Sequence, residues 1–134
     1  MEREATSDFD PDEHAQEAEE RWGDTDAYKE SQRRVAGYSK QDWLTIKAEG
    51  EDISRRFADA MKSGADPADD ATMGLAEEHR RYISRWFYEC GYDIHSGLGE
   101  MYVADPRFKA TYEAVAEGLA TYIRDAISAN AARA

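Results

Sequence analysis

Along most of this chain apolar side chains return every three to four residues, with polar and charged residues between them. That is the period of a helix with one buried face. Trp43, Ile46, Ile53, Phe57 and Ala60 keep this register and predict a helix from Ser39 to Lys62. Ser39 followed by Asp42 has the form of a capping box, with aspartate in the usual glutamate position. Arg55, Arg56 and Lys62 gather toward the C-terminal end, where the helix dipole favours cations, and Gly64 supplies a stop. The turn-rich SGADPADD follows, and then a second helix predicted from Asp70 to Glu89. Leu75, His79, Tyr82 or Ile83, Trp86 and Cys90 share one face of it, and Gly91 is its expected end. A shorter helix is predicted from Asp93 to Ala104, with Ile94, Leu98 and Met101 as its stripe. Asp105-Pro106 then gives an N-cap and a proline at the first helical position. Phe108, Tyr112, Val115, Leu119, Tyr122 and Ala126 carry the pattern almost to the C-terminus; it leaves open whether Gly118 bends or breaks that last stretch. Upstream, a helix is predicted between Asp24 and Tyr38, capped by Asp24 or Thr25. Strand signals are lacking: there is no sustained alternation and no Asn-Gly or Asp-Gly turn. The fold class is therefore all-α.

The first 25 residues break the pattern. Phe9 and Trp22 are their only large apolar side chains, too few to offset about 1–2 kcal/mol of backbone entropy per ordered residue. Residues 1–25 are expected to be disordered or loosely helical in the free protein, and residues 26–134 to form the helical body. The net charge of −12 sharpens this division. Residues 1–26 hold eleven Asp or Glu against Arg3 and Arg21, so the body is nearly neutral. A chain with this balance repels a phosphate backbone and is not expected to bind nucleic acid directly. It has no basic amphipathic stretch for a membrane surface and no apolar window of the roughly 18 residues a span needs. The opening MEREATSDFD has no signal-peptide core, and a single cysteine suits a reducing compartment, so the cytoplasm is expected.

Familiar chemistry is missing. Pro11, Ala76 and Tyr92 stand three residues before His14, His79 and His95, so the Glu-x-x-His pairs of a di-iron bundle are absent. One cysteine and three scattered histidines make no structural zinc site, and neither a phosphate loop nor a nucleophile elbow is present. No metal and no cofactor is expected, and no catalytic residue is assigned. Isolated residues keep two readings. His79 is either a satisfied core histidine or a ligand residue. Cys90 is either a small buried hydrophobe or a pocket thiol, and its place near a helix C-terminus argues against an activated one. Gly97 and Gly99, each costing roughly 0.5–1 kcal/mol in a helix relative to Ala, serve either close helix packing or close approach of a flat ligand. Trp86, Phe87, Tyr88 and Tyr92 cannot all face one core, so some of them line something else.

Four blocks in order make the chain resemble one family: ERWGDTDAYKESQRR (Glu20–Arg34), YSKQDW (Tyr38–Trp43), AEEHRRYISRWFYECGYDIHSGLGEMYVADPRF (Ala76–Phe108) and GLATYIRDAISANA (Gly118–Ala131). They resemble the TipAS thiopeptide-binding domain, the ligand-recognition half of MerR-type regulators, which is also made alone. The resemblance implies a globin-like helical arrangement without haem and a hydrophobic cleft for cyclic thiopeptide antibiotics such as thiostrepton, or similar large heteroaromatic ligands. It further implies an N-terminal segment that orders around the ligand, and binding rather than catalysis by an isolated domain expected to be monomeric. DNA would be reached only through a MerR-type domain that these residues do not include. Trp86, Tyr88, Cys90, Tyr92, His95, Gly97 and Met101 are the expected cleft residues, with His79 and Trp22 beside them. The family pattern implies two cysteines seven residues apart, the second capturing a dehydroalanine of the antibiotic. Here Cys90 stands at the first position and Gly97 at the second, which implies reversible binding. Two rivals come from other classes: a helical module whose aromatics bind a partner peptide or helix, and a small enzyme using His95 and Cys90.

Overall fold

The computed structural model describes residues 26–134, and Trp22, His14 and the acidic stretch 1–25 lie outside them. The described residues form six helices: α1 (Asp26–Val35), α2 (Lys40–Lys62), α3 (Asp70–Trp86), α4 (Tyr92–Ala104), α5 (Pro106–Val115) and α6 (Leu119–Arg133). The expected all-helical architecture is the observed one.

Local chemistry sets most of the ends. Ser39 Oγ accepts the Asp42 N–H, and the Asp42 carboxylate accepts the Ser39 N–H, which completes the capping box of α2. At its other end the Gly64 N–H reaches the Met61 carbonyl and the Ala65 N–H the Ala60 carbonyl, both at 3.0 Å. This is a Schellman closure, and it needs the φ of +86° that Gly64 adopts. Asp69 caps α3 through the Thr72 N–H, and Asp105 with Pro106 opens α5.

Four sequence expectations are corrected. The first helix ends at Val35, three residues before the expected Tyr38, and the expected cap at Asp24 or Thr25 lies outside the described residues. Helix α3 stops at Trp86, three residues before the expected Glu89, and Phe87 is its C-cap. Gly91 does not end that helix; in extended conformation it is the N-cap of α4, so Cys90 belongs to the connection and not to the α3 face. Finally, the core face of α4 is His95, Gly99 and Tyr102, whereas Ile94 is 41% exposed and Leu98 and Met101 are half-buried. The open question at Gly118 is resolved as a break. Gly118 sits at φ +88°, and the Glu113 carboxylate accepts the N–H groups of Gly118 (2.7 Å) and Ala120 (3.1 Å), capping α6 from the preceding helix. Val115, expected on the continuous stripe, is 39% exposed.

Helix α6 is the centre of the body, packed against α4, α3, α2 and α5. Leu119, Tyr122, Ile123, Ala126, Ile127 and Asn130 are buried along it at three- and four-residue spacing. They meet Ile53, Phe57 and Ala58 of α2, Ala76 of α3 and Tyr102 of α4, and each large aliphatic side chain so buried contributes about 1.5–3 kcal/mol. Gly99 faces α6 with room for no more than a methyl group: a Cβ there would be in ordinary contact, 3.5 Å from Ile127 and 3.6 Å from the Arg124 Cα. Helix α1 docks through its end. Arg34 donates to the Ser84 carbonyl at 2.6 Å, the Tyr38 hydroxyl donates to the Trp86 carbonyl, and the Tyr38 ring stands edge-on to Trp43 and Trp86.

Candidate functional site

The connection from α3 to α4 is held by a polar network. Glu77 pairs with Arg80 (2.5 Å), each side chain only 19% exposed, and accepts the Asn130 amide of α6 at 3.0 Å. Arg80 spends a further N–H on the Cys90 carbonyl at 2.8 Å and lies over the Tyr92 ring, 4.3 Å from its centroid. The Ser84 hydroxyl accepts the Cys90 N–H at 3.0 Å. With these partners the five residues between the helices need no regular structure to be fixed. The Arg80 hydrogen bonds draw the Glu77 carboxyl down to about 2, so it stays ionised.

Three predicted residues are buried in the interior beneath this connection. Cys90 is fully buried, and burial pushes its thiol up to about 11 against the opposing effect of Arg80. At neutral pH it is a thiol packed among side chains, and its chemistry is that of a small hydrophobe. His95 is fully buried and His79 nearly so; His79 Nδ1 and His95 Nε2 are 2.9 Å apart in a hydrogen bond between neutral rings. Tyr82 stacks on His79 at 6.2 Å and Tyr102 meets it edge-on at 6.1 Å. Desolvation lowers His79 to about 4 and His95 to about 3.

A second side of α4 is partly open: Ile94 and Gly97 are exposed, whereas Leu98 and Met101 are half-buried and pack against the core. Ile94, Gly97, Leu98 and Met101 follow one another at i, i+3, i+4 and i+7, so they form one strip. Ile94 is largely exposed, and a Cβ built at Gly97 meets no atom within 4 Å. Gly99 and Gly97 therefore part company: the first serves helix packing, the second leaves room on the surface. Tyr92 begins the helix with its ring against Arg80 of α3, and Tyr88 is half-buried in the connection. Trp86 belongs elsewhere: its indole N–H donates to Glu49 of α2 at 2.8 Å, and its ring packs on Tyr38.

Of the predicted cleft residues, the structure thus gathers Gly97 and Met101 on one face, while Tyr92 lies against Arg80 of α3. Cys90, His95 and His79 lie behind that face, Trp86 stands at the α1–α2 side, and Trp22 is outside the described residues. Sequence reasoning did not nominate Ile94 or Leu98 for the cleft, nor the Glu77–Arg80 pair that fixes the connection. The stripe of Ile94, Leu98 and Met101 was legible in the sequence, but an apolar stripe is ordinarily assigned to the core. A separate groove of 280 Å³ between α2 and α3 is lined by Glu49, Asp52, Arg56, Glu78, Tyr82 and Arg85. Arg56–Glu78 and Arg85–Glu49 ion pairs wall it, which suits water better than a large apolar ligand. Among the described residues no group of three or more His, Cys, Asp or Glu is placed to hold a metal, and no helix is long and apolar enough to cross a membrane.

Residues 14–130 match the model of the TipAS antibiotic-recognition domain. The chain is 50% identical over 131 residues to the HTH-type transcriptional activators TipA of Streptomyces coelicolor and Streptomyces lividans, covering 97% of this chain and 51% of each activator. It is 42% identical over 100 residues to the activator mta of Bacillus subtilis, covering 74% of this chain and 38% of that one. It therefore spans about half the length of the TipA chains and less of mta. Among solved structures, Streptomyces lividans TipAS in complex with nosiheptide superposes with a TM-score of 0.87 at 48% identity, covering 94% of this chain and 88% of that one. The antibiotic-binding domain of a TipA-class multidrug resistance regulator gives 0.62 at 46% identity, covering 66% of this chain and 94% of that one.

Proposed function

The chain belongs to the TipAS antibiotic-recognition family, and from that premise we propose that it binds thiopeptide antibiotics on the outward face of α4, without catalysis. The observation that carries the placement is the inversion of α4. Its polar and small residues His95, Gly99 and Tyr102 are buried, whereas Ile94 and Gly97 are turned outward, with Leu98 and Met101 half-buried against the core beside them. A helix that buries histidine and displays isoleucine leaves an apolar surface to be covered by something else.

A thiopeptide is a large ring of azoles with apolar and planar faces. Ile94, Leu98 and Met101 offer dispersion contact to such faces, Tyr92 and Tyr88 offer aromatic edges, and Gly97 lets the backbone approach. The Glu77–Arg80 pair holds the head of α4 in place before the ligand arrives, so little ordering is charged against binding there. Gly97 stands where the family pattern implies the capturing cysteine and Cys90 is buried, so binding is reversible. The domain acts in the cytoplasm as a monomer, either as the effector-recognition part of an HTH-type activator or alone, by sequestering the drug.

Titration of the purified protein with thiostrepton and nosiheptide, followed by tryptophan fluorescence and calorimetry, tests this reading. Saturable binding is expected, weakened about tenfold or more by Ile94→Asp, which touches an exposed side chain and leaves the melting temperature within about 2 °C. No binding to any of several thiopeptides, or full affinity in Ile94→Asp and Met101→Lys, overturns it.

A further inference from the structure

The paired histidines between α3 and α4 lie behind the proposed ligand face, and they tie the helix that carries it to α3. We propose that His79 and His95 form an acid-sensitive latch: α4 stays docked while both rings are neutral, and proton uptake by the pair releases it.

Valence limits what the two rings can share. Each neutral imidazole has one N–H and one lone pair. Across the 2.9 Å between His79 Nδ1 and His95 Nε2 one ring donates and the other accepts. His95 Nδ1 is buried without a hydrogen-bond partner. An imidazolium at position 95 would bury a charge and an unsatisfied N–H together. A second proton on the pair would set two N–H groups against each other in the place of the one bond. Exposure to water satisfies all of these groups at once, so protonation favours the state in which the two helices part.

The surrounding groups do not rescue the charged pair. On α3, Glu77 is engaged by Arg80 and by Asn130 of α6, and Arg80 adds positive charge near His95. Tyr82, stacked on His79, donates to the Ile46 carbonyl of α2 at 2.9 Å. Tyr102 of α4 meets His79 edge-on and is itself surrounded by Tyr112 of α5 and by Tyr88 and Cys90 of the connection, all held in their neutral forms by burial. Glu77 is the one carboxylate of these that acts on His95, and its attraction is outweighed by desolvation and by the positive charge of Arg80.

The direction with pH follows. Both rings titrate lower in the folded protein, about 4 and about 3, than the 6.5 they have when exposed. The latch is therefore closed above about pH 6.5 and weakens as pH falls below it. Between pH 6 and pH 5 each released histidine favours the open state by roughly sevenfold, so the pair does so by about fiftyfold. The consequence for drug binding rests on the proposed function; the latch itself is read in the ligand-free protein.

The test is amide hydrogen exchange of the free protein from pH 7 to pH 5, corrected for intrinsic rates. Opening of the α4 amides is expected to rise about fiftyfold between pH 6 and pH 5, ahead of the α6 amides. His79→Gln and His95→Gln should each reduce the slope to about sevenfold. Where either variant does not fold, the imidazole resonances of the unaltered protein decide: both rings should remain neutral in the folded state down to pH 5. Four results overturn the latch: α4 opening that is flat with pH, α4 and α6 opening together at every pH, a variant that keeps the full slope, or a folded-state ring that titrates near 6.5. Thiostrepton affinity at pH 7 and pH 5 is a separate arm. Absence of binding at pH 7 refutes the ligand reading and leaves the latch standing, whereas undiminished affinity at pH 5 refutes the coupling of the latch to the face.

Discussion

Replacing Glu77 by Gln removes the charge at the centre of the network that holds the α3–α4 connection. Glutamine is nearly isosteric and can still accept from Asn130, so the change isolates the ion pair with Arg80. The carboxyl is drawn from 4.5 to about 2 in the folded protein, chiefly by the Arg80 hydrogen bonds; taken whole, that displacement corresponds to about 3.4 kcal/mol of stability. This is a ceiling, because the pair keeps some contact with water, its side chains each being 19% exposed, and the remaining amide recovers part of the hydrogen bonding. A loss of about 2 kcal/mol is expected at pH 7, or roughly 8 °C in melting temperature for a body of this size. The sign with pH is fixed by the depressed folded value. The contribution is complete above about 4.5 and disappears as pH falls through about 2, so the curves of the two proteins should converge in strong acid. Denaturant unfolding followed by circular dichroism at pH 7, 5, 3.5 and 2 measures this. A difference below about 0.5 kcal/mol at pH 7, or one of equal size at pH 7 and pH 2, would refute the assignment of Glu77 as the anchor.

Three further outcomes are expected. The unaltered chain should show no covalent thiostrepton adduct by intact mass after denaturation, because its only thiol, Cys90, is buried and pushed up to about 11. Gly97→Cys, at an open surface position, should gain an adduct over hours, and an adduct on the unaltered chain that vanishes in Cys90→Ala would reverse this claim. Gly99→Ala should stabilise by about 1 kcal/mol through helix propensity, since its Cβ would stand at ordinary contact distance of 3.5 Å from Ile127. Gly50→Ala should destabilise by about 1 kcal/mol despite the same gain, since its Cβ would stand 2.8 Å from the Tyr82 hydroxyl that bonds the Ile46 carbonyl; urea midpoints that move the same way in both would show the packing argument to be wrong. Deleting residues 1–20 should weaken thiopeptide binding more than it lowers the melting temperature, and unchanged affinity by calorimetry would show that this segment takes no part in recognition.

What the sequence determined by itself was whatever rests on neighbours along the chain. Ser39 with Asp42, Gly64 after Lys62 and Asp105 before Pro106 each place a hydrogen-bonding or φ requirement within a few residues, and each helix end falls where that chemistry put it. The recurring apolar positions of α2 and α6 faced inward as their spacing demanded, because those two helices are hydrophobic on one side only. The tertiary structure alone decided the orientation of α4. Ile94, Leu98 and Met101 make the more hydrophobic stripe, yet His95, Gly99 and Tyr102 are buried. Histidine goes inside because His79 of α3, sixteen residues away, supplies its hydrogen bond, and glycine goes inside because α6 lies too close for a large side chain. The stop of α3 at Trp86 has the same origin. Arg80, Ser84 and Asn130 satisfy or anchor the groups of the connection, and a polar backbone that finds such partners does not need to stay helical. Those partners meet only once the helices have packed, so no spacing along the chain could announce them.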